Sequence, residues 1–488
     1  MKKITLITFS FLLIIAAGCK KYLEKEPDNR AKLTSPEKVS LLLGTAYPQA
    51  NYMTFNEALS DNVTDKGSGI IDNTNLDPFF FNDVRDINQD SPEFYWFACY
   101  EAIAAANQAL QACNQAPDPV NYTAQRGEAL VARAYAHFML VTLFSKVYDA
   151  ATSSSDPGIP YVTVPETVVI KQYERKTVAY VYEMIEKDIL GGIPFLNDQS
   201  YSHPRYHFNR AAANAFAARF YLYKKVYDKA VQYAKAAVPN YLPNLRPWNT
   251  TYQNLGLNDL PLTYERETEP ANLLLISTLS SYANGFQYAR YRYGLDKVIQ
   301  NQVFQNPVPV TNGTWSFRTG SVGGSDNIAV PKISQHFAYE SPTSSFGNGY
   351  IMLPALTVEE VLFNKAEANA YIGNFTEAIA DLNTYASTRL TGVAPGALPL
   401  TRTITEAKLQ TYSGTNNVKD GLIKLILNFK RAEFIQEGMR WFDVLRYKIP
   451  VVHTPVTGQS ITLSADDPRR LLQIPDAAKL SGIAQNPR

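Results

Sequence analysis

Two stretches of this chain, residues 211–238 and 358–389, repeat one internal pattern, and that pattern admits few folds. The first runs Ala217-Ala218-Arg219-Phe220-Tyr221-Leu222 and then Tyr227-Asp228-Lys229-Ala230-Val231. The second runs Glu367-Ala368-Asn369-Ala370-Tyr371-Ile372-Gly373 and then Phe375-Thr376-Glu377-Ala378-Ile379. Small residues on a first helix let a neighbouring backbone come close. A tight turn reverses the chain, and an aromatic three residues before an alanine fills the wedge between the two helices. A unit of this kind cannot bury its apolar face alone and must stack on others. The pattern predicts a helical scaffold and argues against a catalytic barrel.

Other segments extend the helical reading. Spacing near 3.6 puts Phe94, Phe97, Ile103 and Leu110 on one face over residues 93–116, and Leu130, Ala134, Phe138 and Val141 on one face over 123–147. Thr34-Ser35-Pro36-Glu37 is a helix start, opening a helix through Val39, Leu42, Leu43 and Tyr47, and Thr177 caps another over 175–190. Residues 60–90 hold Gly67, Gly69 and Pro78 among many Asn and Asp, and read as one long surface loop. A loop that long in a compact domain is usually functional. Residues 239–354 are rich in Asn, Gly, Pro, Ser and Tyr; apolar runs such as Asn272–Leu279 are short, and most of the segment has no assigned element. The expected class is mostly α, with tetratricopeptide-like helical hairpins in a superhelix and a large irregular face where function concentrates.

The chain opens with Lys2 and Lys3, continues through an apolar run over 4–17, and reaches Ala16-Ala17-Gly18 directly before Cys19. That is the layout of a secretory signal peptide, and the run falls short of the roughly 20 apolar residues that span a bilayer. Small residues just before a cysteine resemble the lipobox of bacterial lipoproteins, whose cysteine is acylated, with fatty acids such as palmitate, and becomes the mature N-terminus. Each buried methylene contributes about 0.8 kcal/mol, so several such chains hold a protein to a membrane. The expected organisation is a signal peptide over 1–18, a tether over 19–30 and a single domain over 31–488. Within that domain, 31–238 is helical, 239–354 loop-rich and 355–488 a C-terminal part. Cys99 and Cys113 fall on one helix about 21 Å apart, beyond the reach of a disulfide, so both are expected as buried thiols.

Composition narrows the chemistry. Lysines and arginines number 46 against 45 acids, so no global field points to nucleic acid. The 31 tyrosines suit wet recognition surfaces, since each offers an apolar face and a hydroxyl that tolerates water. There is no Gly-x-Ser-x-Gly elbow and no exposed Cys near a His. His203 and His207 are spaced i, i+4, but Pro204 breaks the helix that would align them, so they read as loop residues rather than metal ligands. Residues 320–324 lack the Lys-Ser/Thr of a phosphate loop, and no carboxylate spacing singles out a glycosidase pair. No catalytic residue, metal or cofactor is expected.

The most distinctive string is C-terminal: Arg431-Ala432-Glu433-Phe434, then Glu437-Gly438-Met439-Arg440-Trp441-Phe442-Asp443-Val444-Leu445-Arg446, then Leu472-Gln473-Ile474-Pro475 and Gln485-Asn486-Pro487. Residues 429–434 read as an amphipathic helix with Arg431 and Glu433 near its polar edge, and Gly438 as a kink or helix end. Trp441, Phe442 and Leu445 form an apolar face, while Glu437, Arg440, Asp443 and Arg446 are placed to pair in a buried network. The string closely resembles the signature of the SusD/RagB family of outer-membrane lipoproteins. Other marks occur in order: residues 22–27 after the lipobox, the helix over 100–107, Gly127-Glu128-Ala129, Arg133-Ala134-Tyr135, Gly158-Ile159-Pro160, Arg175 and Thr177-Val178 leading to Asp188, and residues 211–230. One departure is Ser145-Lys146-Val147-Tyr148, where the family often has a Gly-Asp-x-Pro turn.

The resemblance implies a lipid-anchored, surface-exposed protein of the outer membrane. It also implies a partner, a SusC-type TonB-dependent transporter, over which the protein sits as a lid with its repeat face docked. The cargo is an oligosaccharide, or in RagB-like members a peptide, and chemistry is left to other proteins. A surface glycoside hydrolase and a purely protein-binding adaptor are the alternatives from other classes. Sugar rings have apolar C–H faces and polar rims, so a site needs flat aromatics edged with polar groups. Candidate platforms are Phe79, Phe80, Trp96, Tyr282, Tyr288, Tyr291, Tyr293 and Trp315; candidate hydrogen-bonding partners are Asp61, Asn62, Asp65, Asn284 and Arg292.

Overall fold

A computed structural model of the chain describes residues 33–168 and 170–488. The signal peptide, Cys19, the tether and the 22–27 mark lie outside the described residues. Helices form where the apolar spacing places them. Pro36–Leu43 starts after Ser35, whose side chain accepts from Lys38 N; Pro92–Gln115 starts after Ser91; and Val178–Gly192 starts after Thr177, which accepts from Tyr180 N. Each cap satisfies an N–H that the helix itself leaves free. Thr123–Phe144 packs between Pro92–Gln115 and Val178–Gly192. Gly127 and Gly192 meet where Thr123–Phe144 crosses Val178–Gly192: a Cβ on either would fall within 3 Å of the other's carbonyl oxygen, so only hydrogen fits there.

Both repeat stretches are helical hairpins. Arg210–Tyr223 turns into Tyr227–Ala237, and Val358–Tyr371 turns into Phe375–Ser387. Helix Tyr227–Ala237 packs directly on Val358–Tyr371, so the two hairpins stack although a long insertion separates them. Their aromatics seal the joint, with the Tyr227 and Tyr371 rings stacked 4.4 Å apart at an interplanar angle of 3°. Glu406–Ser413 and Val418–Glu433 add a third pair, and Val418–Glu433 also packs on Val358–Tyr371.

The insertion is less irregular than its composition suggests. Asn272–Leu279 is a strand, paired antiparallel with Gly347–Thr357, which pairs in turn with Gln335–Tyr339. Residues 272–276 are all buried, so the strand lacks the polar alternation that would have marked it. Thr357 ends the central strand and caps the next helix by accepting from Glu360 N, which returns the chain to the scaffold. The 60–90 segment is likewise not all loop: Met53–Leu59 precedes it, and Asn73–Phe79 is a short helix capped by Asp72.

A buried ion cluster joins the scaffold to the insertion. Arg389 bonds Glu433 at 2.8 Å and Glu359 at 3.0 Å, Glu359 bonds Arg246 at 2.6 Å, and Arg246 donates on to Asn272 at the start of the strand. All four charged side chains are fully buried. Glu433 is therefore a core residue and not on a polar edge. The C-terminal string also departs from the expected closed network. Glu437 pairs with Lys332, Arg440 with Asp61, Asp443 with Lys430 and Arg446 with Glu367; the one link inside the set is Arg446 to Asp443 at 3.7 Å. The string works as a hub that reaches outward. Cys99 and Cys113 are both buried and free, as the helix geometry requires.

Candidate functional site

Four stretches far apart in sequence meet at one rim. Thr64–Asp65 pairs antiparallel with Tyr293–Gly294, and Ile70 bridges Tyr291. Ile70 N donates to Arg290 O at 2.8 Å and Arg292 N to Ile70 O at 2.9 Å. Lys66 Nζ reaches over the same strand pair, donating to Ala289 O at 2.8 Å and to Asn327 Oδ1 at 2.7 Å, which brings in the 320–328 turn. Asp65 ties in the fourth stretch: its carboxylate accepts from Arg292 at 2.7 and 2.9 Å, from Gly67 N at 2.9 Å and from Val456 N at 3.0 Å. Side chains bonded to one another and to backbone groups reinforce this short strand pair and hold the rim together.

These contacts set the electrostatics. Burial alone would raise the Asp65 carboxyl, but Arg292 and the two backbone N–H groups outweigh it and hold it below the usual aspartate value. Burial lowers the Lys66 ammonium to about 8, only partly offset by Asp296 and Asp326. Exposed groups around the rim are Ser68, Ile71, Asn284, Arg290, Asp326 and Val456.

The expected site residues divide by what they touch. Asp61 is held by two guanidinium nitrogens of Arg440, Nε and Nη2, at 2.8 and 2.9 Å, and the fully buried Asn62 accepts from Arg431 at 2.8 Å; both latch the C-terminal string to the rim. Asp65 and Arg292 pair with each other. Phe79, Phe80 and Tyr293 form a small satellite core with Val63 and Leu76, in which Phe79 stacks on Tyr293 at 4.3 Å and on His453 at 4.5 Å. Tyr282 stacks on Tyr288 and donates to Gln436 O at 2.9 Å, and Tyr291 is buried with its hydroxyl accepting from Gln287. Trp315 packs on Phe429 and Tyr385, and Trp96 on Phe144 and Tyr100. Trp96 also lines a separate apolar slot of about 220 Å³ between Pro92–Gln115 and residues 160–173.

Seven of the eight candidate platforms thus have their faces covered, Phe80 being the one that is only partly buried. This corrects their reading as stacking surfaces. In a segment with little helix to bury apolar area, aromatics supply the core beneath the loops. Asn284 is the candidate that stands exposed on the rim, with Arg292 partly so. Lys66 and Val456 were not expected; Val456 contributes through its backbone N–H, which leaves no trace in residue type. His203 and His207 pair with Glu267 and Glu128, respectively. Among the described residues no three His, Cys, Asp or Glu side chains converge to hold a metal ion, and no helix is long and apolar enough to cross a membrane.

A mostly helical scaffold of stacked hairpins with a knit loop rim is the architecture of one class of binding protein. Residues 21–222 match the family described as "Starch-binding associating with outer membrane", and residues 279–471 match that described as "SusD family". The chain belongs to the SusD/RagB family, which is associated with the outer membrane and with carbohydrate binding. It is 24% identical to the SusD-like protein P38 of Formosa agariphila, over 94% of this chain and 95% of that one. Among solved structures it is similar to a SusD superfamily protein from Bacteroides thetaiotaomicron, with a TM-score of 0.68 and 19% identity over 93% of this chain and all of that one. A SusD-like carbohydrate binding protein from Bacteroides vulgatus gives a TM-score of 0.65 and 16% identity, over 92% and 97% of the two chains.

Proposed function

We propose that this chain is a cell-surface lipoprotein, anchored in the outer membrane through acylated Cys19, that captures an oligosaccharide on its loop-bearing side. It then delivers the oligosaccharide, as a lid, to a SusC-type TonB-dependent transporter. Residues 19–30 serve as the tether, and chemical conversion is left to other proteins. The observation that carries this reading is the rim itself: Asp65 fastens three chain segments at once. Loops already ordered without a ligand lose little entropy on binding, which favours capture of a weakly held sugar.

Calorimetry of the unacylated protein against neutral and acidic oligosaccharides tests capture, with short peptides as the competing class. Binding to a glycan and none to peptides is expected; the reverse outcome would make the chain a peptide carrier. A tagged protein should co-purify with a barrel transporter from solubilised outer membranes, and Cys19→Ala should release it from the membrane without weakening ligand binding in solution.

A further inference from the structure

The buried candidates leave the question of which aromatic faces a sugar can reach. The three most exposed cluster on the hairpin of Gln335–Tyr339 and Gly347–Thr357: Phe337, Tyr339 and Phe346 are 49%, 62% and 73% exposed, against 39%, 38% and 41% for the scattered Phe97, Tyr180 and Phe195. Side chains alternate along a strand, so Gln335, Phe337 and Tyr339 share one face while His336 points to the other. On the other face His336 bonds Glu265 at 2.8 Å, and Glu265 also accepts from Ser334 N, which clamps the hairpin base to the body.

On the ring-bearing face the residues opposite are glycines, with Phe337 facing Gly349 and Tyr339 facing Gly347. A Cβ built on Gly347 would fall 2.8 Å from Phe337 Cε1. The Phe337 ring therefore lies across the space a side chain would occupy, with its underside on glycine backbone and its upper face open. Tyr339 stands beside it at 5.0 Å and 73°, forming an open elbow. The turn that joins the two strands carries Ser341, Thr343, Ser344 and Ser345, with Asn348 just after it, and Glu340 is the one fixed charge between 335 and 350.

We propose that this hairpin is a stacking platform for an uncharged glycan chain, with Phe337 and Tyr339 cradling a sugar ring and Phe346 extending the surface at the tip. The proposal rests on the glycan-capture reading and deepens it by naming the rings and the charge class of the ligand. Flat open faces with a hydroxyl and amide rim match the C–H faces and hydroxyls of a neutral sugar. Near-absence of charge disfavours an ionic ligand. The three rings expose roughly 400 Å² at most, about half of what one partner gives to a stable protein interface, so a protein contact is the poorer fit. The platform is also continuous with the rim: Gln335 donates to Ser280 O at 2.9 Å, and the segment that follows Ser280 leads into Tyr282 and the rim loops.

The test is native gel electrophoresis through separate gels containing starch, xylan, galactomannan or a β-glucan, using wild type, Phe337→Ala/Tyr339→Ala and Phe337→Trp. At least one polysaccharide should retard the wild type. The double variant should bind it about tenfold more weakly or worse with an unchanged melting temperature, and Phe337→Trp should retain binding. Protection of Tyr339 from nitration by that glycan, mapped by mass spectrometry, gives a readout independent of folding. Unchanged retardation of the double variant, or Tyr339 nitrated equally with and without glycan, overturns the platform while leaving glycan capture intact. If no polysaccharide retards the wild type, the uncharged-glycan platform falls, while glycan capture itself is decided by the calorimetry against neutral and acidic oligosaccharides. If the double variant loses a co-purifying transporter but not the glycan, the hairpin is a protein contact and the proposal is wrong.

Discussion

Asp381 in the second helical hairpin and Asp65 in the loop rim are both buried and both paired with a cation, yet their carboxyls move in opposite directions. Asp381 has one partner, Lys365 at 2.9 Å, and its second oxygen has no hydrogen bond. Burial therefore dominates and raises it to about 6. Asp65 lies close beneath the rim surface and accepts four hydrogen bonds from Arg292, Gly67 and Val456, which more than offset burial and lower it. The helical half is held by packing and tolerates an under-bonded acid. The rim has only a two-residue strand pair for a ladder, so it leans on the many hydrogen bonds gathered by Asp65.

The largest effect should come from breaking the cluster that joins the two regions. Arg389→Ala leaves Glu433 and Glu359 buried with less countercharge, and should cost about 3–5 kcal/mol in urea denaturation. If the loss stays below 1 kcal/mol, the cluster does not couple scaffold to insertion. Asp61→Ala should cost about 2 kcal/mol, because Arg440 and Arg431 lose a shared carboxylate. Its deprotection in hydrogen exchange should centre on residues 60–66 and 431–440 rather than on the repeats.

The pH dependence sharpens the contrast. Asp381 titrates higher folded than unfolded, so it holds its proton longer when folded, and its contribution makes stability fall as pH rises from about 4 toward 6. Asp65 titrates lower folded than unfolded, so its contribution is present above the ordinary aspartate value and is lost as pH falls through the folded one. Denaturation curves for Asp381→Asn and Asp65→Asn across pH 3 to 7 should depart from wild type in opposite senses; departures of the same sense would refute the assignment. Smallest is Lys66→Met, which removes two donors to the rim and should cost about 1 kcal/mol. Faster amide exchange at residues 65–71, with the helices unchanged, is the expected signature.

How far each region was legible follows from the same physics. Helices over 92–144, 178–192, 210–237 and 358–387 could be read because alanines, aromatics and caps recur at helical spacing. The strand Asn272–Leu279 stayed unassigned because a continuous apolar run does not distinguish a buried strand from a buried helix. Asn73–Phe79 was hidden by Pro78 and its Asn-rich sequence, although Asp72 is an ordinary cap. Site residues were the hardest. Composition shows that residues 239–354 are rich in tyrosine, but whether a ring faces in or out is decided by contacts such as Tyr282 with Gln436, more than 150 residues away. Phe337 and Tyr339 differ from the buried rings in facing glycines, and that pairing becomes visible only with the strand register.

The bond between Asp61 and Arg440 spans 379 residues. During synthesis the first of these emerges long before the second, so the rim cannot close until nearly all of the domain has been made. Until then Asn62 and Asp65 belong to a segment some of whose stabilising partners are still missing, and any protease meets it open. A closed rim is thus a report that the C-terminal signature has arrived, and fragments cut short of Arg440 should be degraded faster than the full chain.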